Sequence, residues 1–301
     1  MNRKFNSQTN GGSLVFTTHG QFLISPRDTV IGPKLIETGQ WEPEQTALLE
    51  KLLSPGDWFI DGGANIGWHT VVAAKRVGGQ GLVMAFEPDA ENFALLKENI
   101  RRNRISDQVH MFQKALTDSS GPVALEISPD NLGDHRVRYP NTIQPKDQNL
   151  EHFAESHRKV IQVPGETMDN VVAEVLHQTR KTVSTTPNLI PSEIQLIKLD
   201  TQGGEERILA GSSTTLAKTR FLLTEFWPYG LIRAGGSVEG YLQHVMRHFD
   251  RVRVISGLAS HLATLQTHPP ALNDLPAIGA TLHGGAFLDL LFYRNNDAET
   301  F

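Results

Sequence analysis

The segment from Trp58 to Pro88 constrains this chain more than any other: it reads W-F-I-D-G-G-A-N-I-G-W-H-T, then an apolar stretch, then G-L-V-M-A-F-E-P. Trp58, Phe59 and Ile60 make a short apolar run suited to a parallel strand covered on both faces, and Asp61 ends it. Gly62, Gly63 and Gly67 let the backbone turn tightly and come close to a ligand. A helix is expected over roughly Ile66 to Val77, with Asn65 as its cap and Val71, Val72 and Ala74 on its inner side. Lys75 and Arg76 favour its C-terminal end, and Gly78 and Gly79 stop it. A second strand, Leu82 to Phe86, then delivers Glu87 at its carboxyl edge, about 25 residues after the glycine loop, as a βαβ return requires.

A carboxylate at Glu87 suits a ribose diol, since hydrogen bonds to a charged acceptor are worth roughly 1.5 to 3 kcal/mol each. Pro88 turns the chain away, and Asp89 is placed to cap a helix in which Phe93, Leu96 and Ile100 mark the buried side and Glu98 and Arg102 a wetter one. Two cofactors use such a unit. A dinucleotide calls for G-x-G-x-x-G, which Gly62, Ala64 and Gly67 match only loosely. S-adenosylmethionine (SAM) carries an ammonium, a carboxylate and a sulfonium, and is better served by the acid Asp61 and the amide Asn65 beside exposed backbone. A turn role for Asp61, satisfying backbone amides, stands beside that reading.

At 301 residues the chain is long enough to bury about 75% of its unfolded surface. A net charge of -5 without a long basic run argues against nucleic acid as a partner. The absence of cysteine removes disulfides, thiolate metal sites and cysteine nucleophiles, and fits a reducing compartment. No signal peptide and no membrane-length apolar run are seen, so a cytoplasmic protein with no membrane partner is expected, with a polar, mobile stretch from Met1 to Gly12.

Further along, a third strand is expected near Val109 to Gln113, and a turn at Ser119 to Pro122 leads to a strand-like V-A-L-E-I-S. A polar stretch from Pro129 to Lys159 follows; the core resumes at Val160 to Val163, and a helix carries Met168, Val171, Val172 and Val175. After a second polar segment, Thr179 to Ser192, the strand I-Q-L-I-K-L-D ends at Asp200, and Thr201 or Gly204 opens a helix. Phe221 to Glu225 reads as a strand, Val238 to Phe249 as a helix, and Val252 to Ile255 with Phe287 to Tyr293 as closing strands; Ser256 to Gly285 reads as irregular. The polar insertions are placed to roof a substrate cleft.

These residues resemble the FkbM family of SAM-dependent methyltransferases, whose pattern is a D-x-G-A-N-x-G loop, a downstream E-P and a later I-K-x-D-x-x-G-x-E. The matches are Asp61, Gly63, Ala64, Asn65 and Gly67, then Glu87 and Pro88, then Ile197, Lys198, Asp200, Gly203 and Glu205. W-E-P-E before the first strand, K-A-L-T-D after the third and Glu225 followed closely by Pro228 are also similar. The resemblance implies a class I methyltransferase fold of the α/β class, a three-layer αβα, Rossmann-like sandwich. Its seven-stranded sheet would be mostly parallel with the last strand antiparallel, and the insertions would form a lid. It divides the chain into an N-terminal extension, 1–40, and a methyltransferase domain, 41–301, with insertions at about 118–160 and 256–285. It also implies O-methylation of a sugar or natural-product hydroxyl. The expected cofactor contacts are Asp61, Gly63, Ala64, Asn65, Gly67, Glu87, Pro88, Ala115 and Asp200, at the carboxyl ends of the strands.

Methyl transfer is an in-line displacement, so positioning dominates, and a base on the acceptor hydroxyl contributes about 10²- to 10⁴-fold. Asp200 is the first candidate, with Glu225 and His135 beside it. Each has a plainer reading: Asp200 as the cap of the next helix, Glu225 and His135 as structural or solvent-facing groups. His69 and Glu205 are read the same way, Glu205 as a first-turn helix acid. Lys198 is expected to point away from the neighbours of Asp200 and to pair with an acid on another element. No metal is expected: His244 and His248 share a helix without a third ligand, and nothing local specifies a cage from Asp169, Asp200 and Glu225. Trp41, Trp68 and Trp227 are packing residues first, Trp227 being the best rim candidate. A nicotinamide-dependent oxidoreductase and a SAM-binding module without chemistry remain as alternatives, and D-T-Q-G stands where a base-flipping methyltransferase would carry N-P-P-Y. The acceptor, and whether the chain forms a homodimer, are left open.

Overall fold

The computed structural model describes residues 7–9, 12–139, 158–182, 193–258 and 262–300. Its polar start forms an antiparallel meander of β1 (Ser7–Thr9), β2 (Gly12–Phe16) and β3 (Gln21–Ile24). Ser7–Thr9 is therefore not the mobile stretch expected, because its backbone pairs with Gly12, Ser13 and Leu14; residues 1–6, 10 and 11 lie outside the described residues. Two helices follow, α1 (Ile31–Thr38) and α2 (Pro43–Leu52).

The glycine-loop segment folds as β4 (Trp58–Gly62), α3 (Trp68–Val77) and β5 (Leu82–Phe86), and then α4 (Ala90–Arg102) and β6 (Val109–Phe112) complete a second crossover. Asp89 caps α4 as expected, accepting from the backbone N–H of Glu91 and Asn92. Asn65 does not cap α3: the cap position is Gly67, with no side-chain bond, because a turn separates the glycine loop from the helix.

The chain then leaves the main sheet. β7 (Ala115–Leu116), β8 (Gly121–Ile127), β9 (Arg136–Arg138) and β10 (Lys159–Glu166) form a separate sheet in the order β7-β10-β8-β9. The core thus does not resume at Val160–Val163. That stretch pairs antiparallel with β8 over a small cluster around Leu125 and Val163, and its half-exposed burial pattern differs from the wholly buried β4 and β5. Of the polar insertions expected to roof the cleft, 140–157 and 183–192 lie outside the described residues.

After α5 (Met168–Thr182), the central sheet gains β11 (Ile194–Leu199), α6 (Glu205–Ala210), α7 (Ser213–Ala217), β12 (Thr219–Phe226), α8 (Pro228–Arg233) and α9 (Val238–Val245). α9 stops at Val245, so His248 is off the helix that carries His244. β13 (Arg251–Leu258), α10 (Leu262–Thr267), α11 (Leu275–Gly279) and β14 (Phe287–Tyr293) close the fold, so the Ser256–Gly285 stretch holds two short helices rather than irregular chain alone.

The seven-stranded order is β13-β14-β12-β11-β4-β5-β6, with β14 antiparallel to both neighbours. This is the α/β sandwich expected. Strand alternation sends Ile60, Met84, Ile197 and Leu222 into one apolar layer with α5, α6 and α9, and Phe59, Val83, Leu196 and Phe221 into the other. The second layer also takes Phe22, Ile24, Ile31 and Leu35, so residues 12–38 share the core of the domain. Each fully buried side chain of this size stabilises by about 1.5 to 3 kcal/mol. That core fixes the strand ends, where the chemistry lies.

Candidate active site

Parallel strands that end together leave their polar end residues in one row. Asp61 on β4 stands opposite Lys198 on β11, and Glu225 on β12 stands opposite Asp289 on β14. Lys198 is 3% exposed, and its Nζ lies 3.1 Å from Asp200 Oδ2. It therefore pairs with Asp200 itself, contrary to the expectation that it points elsewhere, because residues two apart on a strand share a face. Burial disfavours its charge, but Asp200, Glu42 and Asp61 around it raise its proton affinity above the usual lysine range. Asp200 also accepts from Gln202 Nε2 at 2.9 Å, so it braces the loop and is not the cap of α6, a place taken by Gly204.

A cavity of about 510 Å³ opens over this row. Its walls include Trp41, Glu42, the Gly63–Ile66 turn, Trp68, His69, Lys198, Asp200, Glu225, Trp227 and Asp289. Burial, with Asp200, Glu205 and Asp289 nearby, holds the Glu225 carboxyl well above the usual carboxylate range. Burial likewise pushes Asp289 up to about 6, although Ser256 donates to it at 2.6 Å. Trp227 reaches the rim with its Nε1 donating to the Gly284 carbonyl at 2.6 Å, and Arg136 lies over its ring at 4.9 Å. Trp68 lines the cavity as Trp41 does, while packing in the second layer and donating from Nε1 to Thr46 Oγ1 at 2.9 Å.

A narrower slot of about 50 Å³ adjoins it, walled by Phe86, Glu87, Pro88, Ala115, Leu116 and the β8–β9 connection. The two spaces share Gly63, Asn65, Gly133, Asp200 and Gln202. Glu87 is 4% exposed; one carboxyl oxygen accepts from Asn65 N–H and the other from Asp89 N–H, both at 2.9 Å. Burial pushes it up to about 8. Gly63 has φ +85°, and a Cβ there would lie 2.0 Å from the Asp200 carbonyl oxygen, so only glycine lets the β4 and β11 loops meet.

The outer wall of the slot is a strap, residues 128–135. Its Leu132 carbonyl accepts from Asn65 Nδ2 and from Asn92 Nδ2, each at 2.8 Å. Asn65 itself has φ +50°, a conformation asparagine tolerates better than most residues. His135 belongs to this strap: its Nδ1 accepts from Ser128 N–H at 3.1 Å, and it lines the slot rather than the large cavity.

The site residues expected from sequence thus divide. Asn65, Glu87, Pro88, Ala115 and Asp200 meet at the slot with Gly63; Glu225 and Asp200 meet at the large cavity with Ala64. Gly67 sits behind the loop against Leu96. Asp61 is 1% exposed and lies beneath the loop, accepting from Thr70 Oγ1 at 2.6 Å and facing Lys198, with burial raising its pKa. Glu205 ties the loop by accepting from Thr201 N–H and Oγ1 and from Gly203 N–H. Asp169 is remote and accepts from Thr214 and Thr215 at the start of α7. Among the described residues no group of three or more acids and histidines is arranged to hold a metal.

Sequence reasoning missed Glu42, Gln202 and Asp289. Asp289 carried a signal, being the lone charge inside the apolar run F-L-D-L-L-F-Y. Glu42 carried a fainter one, as an acid at a helix start, immediately before Pro43, where Ser, Thr, Asp or Asn is usual.

A family model described as the methyltransferase FkbM domain matches residues 61–253. Curated relatives include Methyltransferase 1 of Beauveria bassiana, 29% identical over 164 residues covering 52% of this chain and 59% of that protein. The 2-O-methyltransferase NoeI of Sinorhizobium fredii is 28% identical over 148 residues, covering 48% of this chain and 53% of its own. The hexuronic acid methyltransferase AglP of Haloferax volcanii is 25% identical over 185 residues, covering 61% of this chain and 62% of its own. The similarity therefore spans between about half and three fifths of the length of these relatives.

Proposed function

The chain belongs to the FkbM methyltransferase domain family, and from that premise we propose that it is a SAM-dependent O-methyltransferase acting on a hydroxyl of a sugar or natural-product-like small molecule. The observation that carries the reading is the joining of the slot and the large cavity at Gly63, Asn65, Asp200 and Gln202, one space for a donor nucleoside and one for an acceptor.

The residues at the slot fit the cofactor. Each Glu87 oxygen accepts one backbone N–H and keeps a lone pair for a ribose hydroxyl. Pro88 and Ala115 supply apolar walls for a base, and the Gly63–Asn65 backbone passes close by. When bound, SAM supplies a methyl group made electrophilic by its sulfonium. The slot is narrow because the strap closes it, so the strap must lift to admit a nucleoside. Asp61 acts from below, tying β4 to the start of α3 through Thr70.

At the large cavity Glu225 is the group we assign to take the acceptor proton. Burial and neighbouring acids strengthen it as a base, and its carboxyl is not committed to a cation as that of Asp200 is. Asp200 orients Gln202 and the loop between the two spaces; His135 helps close the nucleoside side. The cavity's cations, Lys198 and Arg136, are engaged by Asp200 and Asp134, leaving a wall rich in acids. Such a wall favours a neutral polyhydroxyl acceptor, whose hydroxyls donate to carboxylates, over an anionic one. The name of one relative, a hexuronic acid methyltransferase, supports a saccharide, though an acidic one, and that of another, a 2-O-methyltransferase, supports transfer to oxygen.

The test is to incubate the purified chain with methyl-labelled SAM and a panel of neutral, amino and acidic saccharides and other hydroxylated metabolites, reading products by mass spectrometry. Label on a hydroxyl oxygen is the expected result. Failure to bind S-adenosylhomocysteine (SAH) in calorimetry would overturn the reading.

A further inference from the structure

A second carboxyl stands directly beside Glu225. β12 and β14 run antiparallel, and their register sets Glu225 opposite Asp289. Residues opposed in this way have Cα atoms about 4.5 to 5.5 Å apart and send their side chains to the same face. Both carboxyls are buried, and both line the large cavity. Like charges opposed across a ladder are destabilising, so packing alone would be better served by an apolar residue, as at Leu288, Leu290 and Leu291 of the same strand. Asp289 is instead built in. Ser256 Oγ donates to its Oδ2 at 2.6 Å from the place where β13 shifts register between Val254 and Ser256, and the Gln45 side chain bonds it from α2.

The two carboxyls are not equivalent. In the strand order β14-β12-β11-β4, Glu225 is one strand away from β11, whose loop of Asp200 and Gln202 borders the nucleoside slot. Asp289 is a further strand away, about 4.8 Å more along the sheet. Gln202 Nε2 lies 3.4 Å from Glu225 Oε2, on the donor side. Burial, with Asp200, Glu205 on α6, Asp289 and Glu42 around it, raises Glu225 well above the usual carboxylate range. Asp289 is pushed up only to about 6: burial and Asp200 raise it, while Ser256, Lys198 and Gln45 hold it down. Environments that separate two neighbouring carboxyls in this way give them different tasks, the lower one an anion that accepts hydrogen bonds and the higher one the stronger base.

We propose that the acceptor is a vicinal diol, its reacting hydroxyl held by Glu225 and the neighbouring hydroxyl donating to Asp289. The inference rests on the assignment of the large cavity to the acceptor and of Glu225 as base, and narrows a polyhydroxyl acceptor to one with two adjacent free hydroxyls. The proton of the reacting hydroxyl passes to ionised Glu225 as its oxygen bonds the methyl carbon and the C–S electron pair stays with sulfur. The second hydroxyl keeps its proton, and its bond to Asp289 orients the acceptor so that one oxygen alone faces the donor. An acceptor already alkylated or acylated on that neighbouring oxygen has no proton to donate and is refused, so this methylation precedes any substitution there.

The experiment measures methyl transfer from labelled SAM by the full chain to the methyl hexopyranosides of glucose, mannose and galactose, with NMR placing the new methyl group. Each methylated glycoside is then compared with its monodeoxy forms lacking a hydroxyl next to that position. In the wild-type chain one such deoxy form should lose roughly 10- to 100-fold in kcat/KM, mostly through KM. Asp289→Ala should bind SAH within about twofold of wild type and treat parent and deoxy glycosides alike within about twofold, a ratio in which any change at Glu225 cancels. Neighbouring deoxy forms methylated as well as their parents by the wild-type chain would overturn the inference whether or not the variant folds. So would an Asp289→Ala chain that still discriminates between them. Normal SAH binding with no methylation of any glycoside, or full turnover in Glu225→Gln, would instead remove the reading on which it rests.

Discussion

Lys198 is buried among three acids: its Nζ contacts Asp200, it stands opposite Asp61 in the ladder, and the charges of Glu42 and Asp61 add to that of Asp200 in holding its proton. One buried cation thus organises the floor of the large cavity. Replacing it by Met leaves acids that burial already disfavours, and breaking such a pair costs about 3 to 5 kcal/mol. Urea denaturation of Lys198→Met should show a loss of that size, and a loss below about 1 kcal/mol would mean that the acids are already neutral in the empty protein.

Glu225→Gln separates base from scaffold. Turnover should fall by about 10²- to 10⁴-fold while SAH affinity stays within about twofold. Because the folded pKa of Glu225 is raised above its unfolded value, the stability linked to its proton is fully present below about pH 4.5 and is lost as pH climbs toward the raised value. The melting temperature of Glu225→Gln relative to wild type should accordingly rise with pH from 5 to 8. A pH-independent difference would show that Glu225 is ionised in the folded chain.

Glu87→Ala and Asp61→Ala should fail in different ways. Glu87 sits in the slot, and its loss should weaken SAH by roughly 10- to 100-fold through the ribose. Asp61 lies under the loop with Thr70 and Lys198, so its loss should lower the melting temperature first and affinity only through the loop. Calorimetry paired with thermal melting checks both, and an Asp61 variant with normal stability but no SAH binding would put its carboxylate in the site.

The strap over the slot should act as a gate. Asn92→Ala removes one of the two amides on the Leu132 carbonyl, a net loss of about 1 kcal/mol for the closed strap. Stopped-flow measurements should show SAH association and dissociation both faster by roughly fivefold, with little change in Kd. A change in dissociation alone would mean that the strap grips the ligand instead of gating it.

Much of this architecture could be read from residues in order. β4, α3, β5 and α4 are local: apolar runs of five, a glycine turn and a helical repeat specify them with little help from elsewhere. The acids Asp61, Glu87, Asp200 and Glu225 were visible because each ends an apolar strand, and a charge there must face the sheet edge. The run V-A-L-E-I-S was read as a strand, but not its sheet, since a single strand carries no record of its partner.

The strands, the glycine turn and the acids at the strand tips follow from residue order alone, because period, turn chemistry and buried charge are properties of neighbouring residues. Which of those acids reach a cavity depends on how distant segments pack. Asp61 is held under the loop by Thr70, while Glu42, 19 positions before it, is held in a left-handed turn beside His69. Burial and long-range charge set these roles, and both depend on segments that meet only when the sheet has closed.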